Sequence, residues 1–111
     1  MADREAILGV LEETRSRFLE ADVQKHFAGW SRTMEYHFTD TDEYFTLVIR
    51  DGKPDAVVPG KAEKAEIRYE MATDTFVAIT HKELSAMKAY TQGKIKVKAP
   101  MPDLLKLQKI S

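Results

Sequence analysis

Side chains able to do chemistry are few in this sequence, and they are scattered. His26 falls among the apolar positions of a helical stretch, His37 on the polar side of an alternating run, and His81 inside a Thr80-His-Lys-Glu83 capping box. Metal ligation needs three or four donors converging on one point, so this spacing predicts structural or solvent-facing histidines and no metal site. Asp40-Thr41-Asp42-Glu43 has some of the carboxylates of a calcium loop but neither its glycine nor its distal bidentate glutamate, and it reads as a solvated turn. There are no cysteines, which removes thiol nucleophiles, disulfides, zinc knuckles and iron–sulfur ligation together and fits a reducing compartment. No Gly-x-Ser-x-Gly turn, Gly-x-x-x-x-Gly-Lys loop or Gly-x-Gly-x-x-Gly run occurs. General acid–base work would need a buried carboxylate or histidine, and the pattern puts most of these on polar faces. An enzyme is therefore the least favoured class, and no cofactor is expected.

The remaining chemistry is charge. From Met1 to Met87 there are 11 Lys/Arg against 17 Asp/Glu; from Lys88 to Ser111 the six cations Lys88, Lys94, Lys96, Lys98, Lys106 and Lys109 face only Asp103. All six are lysines, and the chain as a whole carries −1, which argues against a nucleic-acid binder, where arginines fork onto phosphates and guanine edges. The row Lys94, Lys96, Lys98 has two readings: solvated charges that keep an edge strand from pairing with another sheet, or, with Lys88, Lys106 and Lys109, a contact for anionic lipid or coenzyme A phosphates at ~1 kcal/mol per cation.

These groups are carried by elements whose periods are legible. Ile7, Val10, Leu11 and Phe18 predict an amphipathic helix over 3–20 with Asp3 as its cap, and Val23, His26, Phe27 and Trp30 mark one face of a second helix that Gly29 ends. The period then falls to two. Met34, Tyr36 and Phe38 alternate with polar residues, as do Phe45, Leu47 and Ile49, which predicts a hairpin; Asp51-Gly52 is a second turn. Residues 54–59, flanked by prolines, predict a sheet-edge strand, and Ala65, Ile67, Tyr69 and Met71 a fourth strand. Two short helices follow, one from Thr73-Asp74-Thr75 and one over 80–92, then a fifth strand at Lys94-Ile-Lys-Val-Lys98 and a last helix opened by Pro100 and Pro102 with Leu104, Leu105, Leu107 and Ile110. Together they predict a sheet covered by helices.

At 111 residues the chain fits a single domain, a helix over 1–21 preceding a core over 22–111. No apolar run approaches the ~20 residues of a spanning helix, the opening Met1-Ala-Asp-Arg-Glu lacks the order of a signal peptide, and Lys109-Ile110-Ser111 is not a peroxisomal address. The expected setting is cytoplasmic.

The stretch Ala89-Tyr-Thr-Gln-Gly-Lys-Ile-Lys-Val-Lys98, followed by Asp103-Leu-Leu-Lys-Leu-Gln-Lys-Ile110, resembles the C-terminal signature of the sterol carrier protein 2 family, and the order of elements from about Val23 agrees. Two departures stand out. Lys82 and Ala86 occupy positions where the family commonly has glycine and proline, which predicts a continuous helix there; Ala99 stands where a glycine usually follows the strand. The resemblance implies an α+β fold, a five-stranded mostly antiparallel sheet with helices packed on one face, and an apolar tunnel between the layers for a sterol, fatty acid or fatty acyl-CoA. It further implies that Phe27, Trp30, Met34, Tyr36, Phe38, Phe45, Leu47, Ile67, Tyr69, Met71, Phe76, Met87, Tyr90, Ile95, Leu104 and Leu107 face that lipid. Met34, Met71, Met87 and Met101 are either gap fillers of a solid core or adaptable walls of a cavity.

The expected function is thus non-enzymatic lipid binding and transfer by a monomer or weak homodimer, with transient membrane-surface contact and the terminal helix as lid. The competing class is an accessory domain docking on an enzyme of lipid, quinone or alkyl-ester metabolism.

Overall fold

A computed structural model describes residues 2–110. Helix α1 (Arg4–Arg17) starts where the Asp3 carboxylate accepts the Ala6 amide at 2.8 Å, and it buries Ile7, Val10 and Leu11. Helix α2 (Ala21–His26) is short, and Trp30 lies beyond it in the turn that leads to the sheet. The strands are β1 (Arg32–Phe38), β2 (Glu43–Arg50), β3 (Lys53–Pro54), β4 (Val58–Pro59), β5 (Ile67–Met71) and β6 (Ile95–Lys98). Helices α3 (Thr73–Thr80) and α4 (Ala86–Thr91) separate β5 from β6, and α5 (Met101–Leu107) runs into a 3-10 turn over Gln108–Ile110.

The sheet order is β3-β2-β1-β5-β6, with β4 also on β2. β1 and β2 form the expected antiparallel hairpin, from Arg32 opposite Ile49 to Phe38 opposite Glu43. β5 then returns alongside β1 in parallel, Met34 opposite Ile67, and β6 closes the far edge antiparallel to it. Met34, Tyr36, Phe38, Phe45, Leu47, Ile49, Ile67, Met71 and Ile95 are buried on one face with residues of the helices and their caps, including Ile7, Phe18, Phe27 and Phe76. The alternate positions Tyr44, Thr46, Arg68, Glu70 and Lys96 lie on the other face and stay half or fully exposed. The two-layer α+β reading thus holds.

Three local expectations are corrected. The proline-flanked edge is not one strand over 54–59 but two short pieces, β3 and β4, both on the free side of β2; each proline lacks the amide that would extend the ladder. The segment after α3 is not a continuous helix. The amides of Glu83 and Leu84 both turn back to the Ala78 carbonyl, at 2.8 and 3.2 Å, and Lys82 takes φ +61° to let them do so. That closure calls for a left-handed residue past the helix end, so the conformation persists although the side chain is lysine. Nor does Thr80-His-Lys-Glu83 cap α4: Thr80 is the last residue of α3, and the cap is Ser85, whose hydroxyl accepts the Lys88 amide at 3.0 Å.

The turn between β2 and β3 has φ +51° at Asp51 and +77° at Gly52, the signs of a hairpin turn matched to strand twist. A Cβ on Gly52 would stand 2.7 Å from the Phe27 carbonyl oxygen. This turn therefore seats the end of α2 on the sheet.

Candidate functional site

An apolar groove of about 760 Å³ opens between α4, α5 and the sheet. Its floor is Tyr69 of β5 with Ile95 and Val97 of β6. One wall is Leu84, Ala86, Met87 and Tyr90, the other Met101, Leu104, Leu105 and Leu107. Beneath it lies a smaller cavity of about 80 Å³, lined by Met34, Tyr36, Met71 and Phe76 and reaching Thr14, Arg17 and Thr80. The two spaces have Tyr69, Ile79, Ala86, Ile95 and Leu107 as common walls. A volume of this size, lined mostly by apolar side chains with Lys82, Ser85 and Gln108 among them, suits a hydrocarbon ligand. Tyr36 and Tyr69 stack at 4.9 Å on the inner side, and burial pushes both phenols above their ordinary range.

The two helical walls are held differently. Asp103 on the inner side of α5 is buried, and its carboxylate accepts Trp30 Nε1 at 3.0 Å, Arg32 Nε at 2.8 Å and Arg32 Nη2 at 3.1 Å. Burial raises the pKa of this carboxyl, but the hydrogen bonds from Arg32 and Trp30 and the charges of Arg32 and Lys106 outweigh it, so the carboxyl sits below its ordinary value. Farther along, His26 Nε2 donates to the Lys106 carbonyl at 3.2 Å, and Arg17 donates to the carbonyls of Ile110 at 2.9 Å and of Thr80. The side-chain hydrogen bonds of α4, by contrast, stay local: Ser85 to Lys88, and Thr91 Oγ1 donating to the Lys88 carbonyl at 3.0 Å. α5 is thus tied to the sheet by side-chain hydrogen bonds, whereas α4 is seated through its buried Ala89.

Among the residues expected to face a lipid, Met34, Tyr36, Tyr69, Met71, Phe76, Ile95 and Leu107 line the inner cavity, and Met87, Tyr90 and Leu104 line the groove. Phe27, Trp30, Phe38, Phe45, Leu47 and Ile67 line neither space. They are buried in the solid part of the core, where rings meet directly: Phe27 lies 5.1 Å from Phe18 and 4.9 Å from Trp30, and Phe38 lies 6.0 Å from Phe45. The methionines divide, Met34 and Met71 buried and Met87 and Met101 at the open rim. Ile79, Leu84, Val97 and Leu105 line these spaces too, outside the set that the resemblance implies, and their signal is apolar character on the elements that carry the named residues.

The six lysines do not share one surface. Lys96 and Lys98 alternate with Ile95 and Val97 of β6, whose side chains line the groove, and so project from the opposite face of the sheet, while Lys94 is exposed just before the strand. Lys106 lies over the Phe27 ring at 5.5 Å, and Lys109 pairs with Asp22 at 3.6 Å, so both turn toward α2. Lys88 is exposed on α4. Of the histidines, His37 stacks on Tyr44 at 4.1 Å on the open sheet face, with Nε2 2.8 Å from Asp42, and His81 lies 3.1 Å from Glu13. Among the described residues no group of three histidines or carboxylates is placed to hold a metal, and no helix is long and apolar enough to cross a membrane.

The model of the SCP-2 sterol transfer family matches residues 11–111. A comparison with curated proteins returned no match. Among solved structures, Sterol Carrier Protein 2 Like 2 from Aedes aegypti superposes with a TM-score of 0.73 at 17% identity, over 97% of this chain and 98% of that one. Its palmitated form in solution gives 0.71 at 18% identity, over 91% and 89%. A stereoselective inverting sec-alkylsulfatase from Pseudomonas sp. gives 0.67 at 20% identity, over 78% of this chain but only 14% of the enzyme.

Proposed function

Since the chain belongs to the SCP-2 sterol transfer family, we propose that it binds one lipid by its hydrocarbon part in the groove between α4, α5 and the sheet, and releases it chemically unchanged. The carrying observation is the apolar groove of about 760 Å³, which shares its floor with the inner cavity. Burying a twelve-carbon tail contributes on the order of 10 kcal/mol at ~0.8 kcal/mol per methylene, before the cost of ordering the tail. A single-chain ligand then falls in roughly the micromolar range without a specific polar contact. Fatty acid, fatty acyl-CoA and sterol all meet this requirement. The inner cavity accepts the deepest carbons, against Met34, Met71 and Phe76.

Titration with a fluorescent fatty acid, backed by native mass spectrometry of the purified protein, tests the proposal. Saturable one-to-one binding displaced by palmitate or by a sterol is the expected result. No saturable binding of either class overturns it.

The exposed apolar rim favours a second reading, in which the groove edge docks on an enzyme. The alkylsulfatase whose structure includes this fold as a small part of its length is the precedent. A stable lipid-free oligomer, or a stable complex with such an enzyme, supports that reading; a co-purifying lipid mass supports the carrier.

A further inference from the structure

We infer that Tyr36 and Tyr69 receive the hydroxyl of a straight-chain alcohol, which enters head first and leaves its hydrocarbon tail in the groove. The inference rests on the lipid-binding reading and adds which end goes in and which head group is chosen. The two residues are register partners on β1 and β5, with rings 4.9 Å apart and nearly parallel at 15°. Both side chains therefore rise from the same, helix-covered face of the sheet. Tyr36 is 3% exposed, and Tyr69 is a wall of the groove and of the inner cavity alike. Neither phenol oxygen has a hydrogen-bond partner among the described residues, and neither is sealed off, since Thr41 Oγ1 is the one side-chain polar atom there that is both covered and unpartnered. A buried hydroxyl left unpaired costs free energy, so the pair calls for an oxygen brought by an occupant of the cavity.

Charge and volume choose the occupant. Burial first, and the charge of Asp103 second, hold the Tyr69 phenol above its ordinary range, and burial does the same for Tyr36. Both are thus neutral groups able to donate one hydrogen bond and to accept others. That matches an alcohol, whose oxygen accepts from one phenol while its O–H donates to the other. The Asp103 charge that disfavours a phenolate also opposes a carboxylate head beside Tyr69. Arg17, which lines the same cavity, donates to the carbonyls of Ile110 and Thr80. An apolar cavity of about 150 Å³ holds benzene; the inner cavity, at about 80 Å³, admits the end of a chain and not a ring. Met34, Met71 and Phe76 of its wall cover the carbons next to the hydroxyl.

The test compares 1-dodecanol with tridecane, in which a methyl stands in place of the hydroxyl, both supplied from cyclodextrin and read by displacement of a fluorescent fatty acid from the full chain. Tyr36→Phe/Tyr69→Phe should weaken dodecanol about tenfold and leave tridecane within about twofold of its native affinity. The lipid-free double variant should melt no lower than the native protein, because it loses no internal hydrogen bond. Tyr44→Phe, on the other face of the sheet, should change neither ligand, and dodecanoate and cholesterol should respond to the double variant less than dodecanol does. Equal losses for dodecanol and tridecane, an unchanged dodecanol affinity with water alone at the phenols, an equal or larger loss for dodecanoate or cholesterol, or a clearly lowered melting temperature of the lipid-free double variant each overturns the inference. Tridecane binding to the native protein is scored separately: without it the groove fails as a hydrocarbon site, whereas tridecane binding that survives while dodecanol ignores the phenols sinks the head-first assignment alone.

Discussion

Removing the Asp103 carboxylate should release α5 from the start of β1. Its three hydrogen bonds come from two donors in unlike surroundings: Trp30 Nε1 is buried, whereas the Arg32 side chain is about one-third exposed, at 32%. Truncating one partner of a fully buried pair costs about 3–5 kcal/mol, but here Arg32 regains water. Asp103→Ala is therefore expected to cost about 3 kcal/mol, and Asp103→Asn, which keeps an acceptor for Trp30, about 2 kcal/mol. In a domain of this size the Asn variant should melt roughly 10 °C lower. Acid supplies a second arm. The folded carboxyl lies below its ordinary value of 3.8, so its contribution is present above that pH and disappears as pH falls through the folded-state value. The gap between native protein and Asp103→Asn should accordingly close in strong acid. Urea unfolding followed by the fluorescence of Trp30, the sole tryptophan, measures both. A difference below about 0.5 kcal/mol at neutral pH, or one that acid does not shrink, refutes the reasoning; so does strict additivity with Arg32→Met.

Leu107→Asp places a charge at a site 5% exposed and should unfold the domain, whereas Leu104→Asp, half-buried at the groove wall, should fold and bind a fluorescent fatty acid at least about tenfold more weakly. Unchanged binding in the Leu104 variant would remove that wall from the site. Gly52→Ala should cost about 2 kcal/mol in thermal denaturation, because φ is +77° and the new methyl meets the Phe27 carbonyl. Lys82→Gly should raise stability by about 0.5–1 kcal/mol by relieving a left-handed lysine; a loss would show that the lysine side chain contributes more than its backbone costs.

Alternation carried the sheet reading, because Met34-Tyr36-Phe38 and Phe45-Leu47-Ile49 each bury one side. It was silent on partners. A strand that pairs in parallel with a distant one shows the same period as one in a hairpin, so nothing local announced that β5 would join β1. The helix breaks were legible only in part: Ser85 and Thr80 are both able to cap, and the choice fell to Ser85 because the chain first folds back onto the Ala78 carbonyl. The same limit applied to the groove. Apolar residues of α4, β6 and α5 were recognisable as a set, but pattern does not distinguish a space between two apolar layers from a filled one. By pattern Phe27, Phe38 and Phe45 are as suitable for a cavity as Tyr69 and Ile95, but Phe27 packs on Phe18 and Trp30, and Phe38 on Phe45 and Phe76. The lysines followed the same logic: Lys96 and Lys98 are separated from the groove by the parity of a strand, while the turn of a helix sends Lys106 toward Phe27.

The position of β1 between β2 and β5 bears on the order in which the protein comes together. β2 reaches β1 through a turn of a few residues, while Met34 waits for Ile67, thirty-three positions later, to complete its other side. Closing the longer loop exacts more chain entropy and delivers its contacts later. The hairpin of β1 and β2 is therefore expected to form before β5 arrives; β5 brings Tyr69 and Met71 of the lipid space, and α4, β6 and α5, which supply most of the groove, follow it in the chain. Until β5 docks, the side of β1 that it covers has no strand partner, and the walls of the groove are the last part of the architecture to be enclosed.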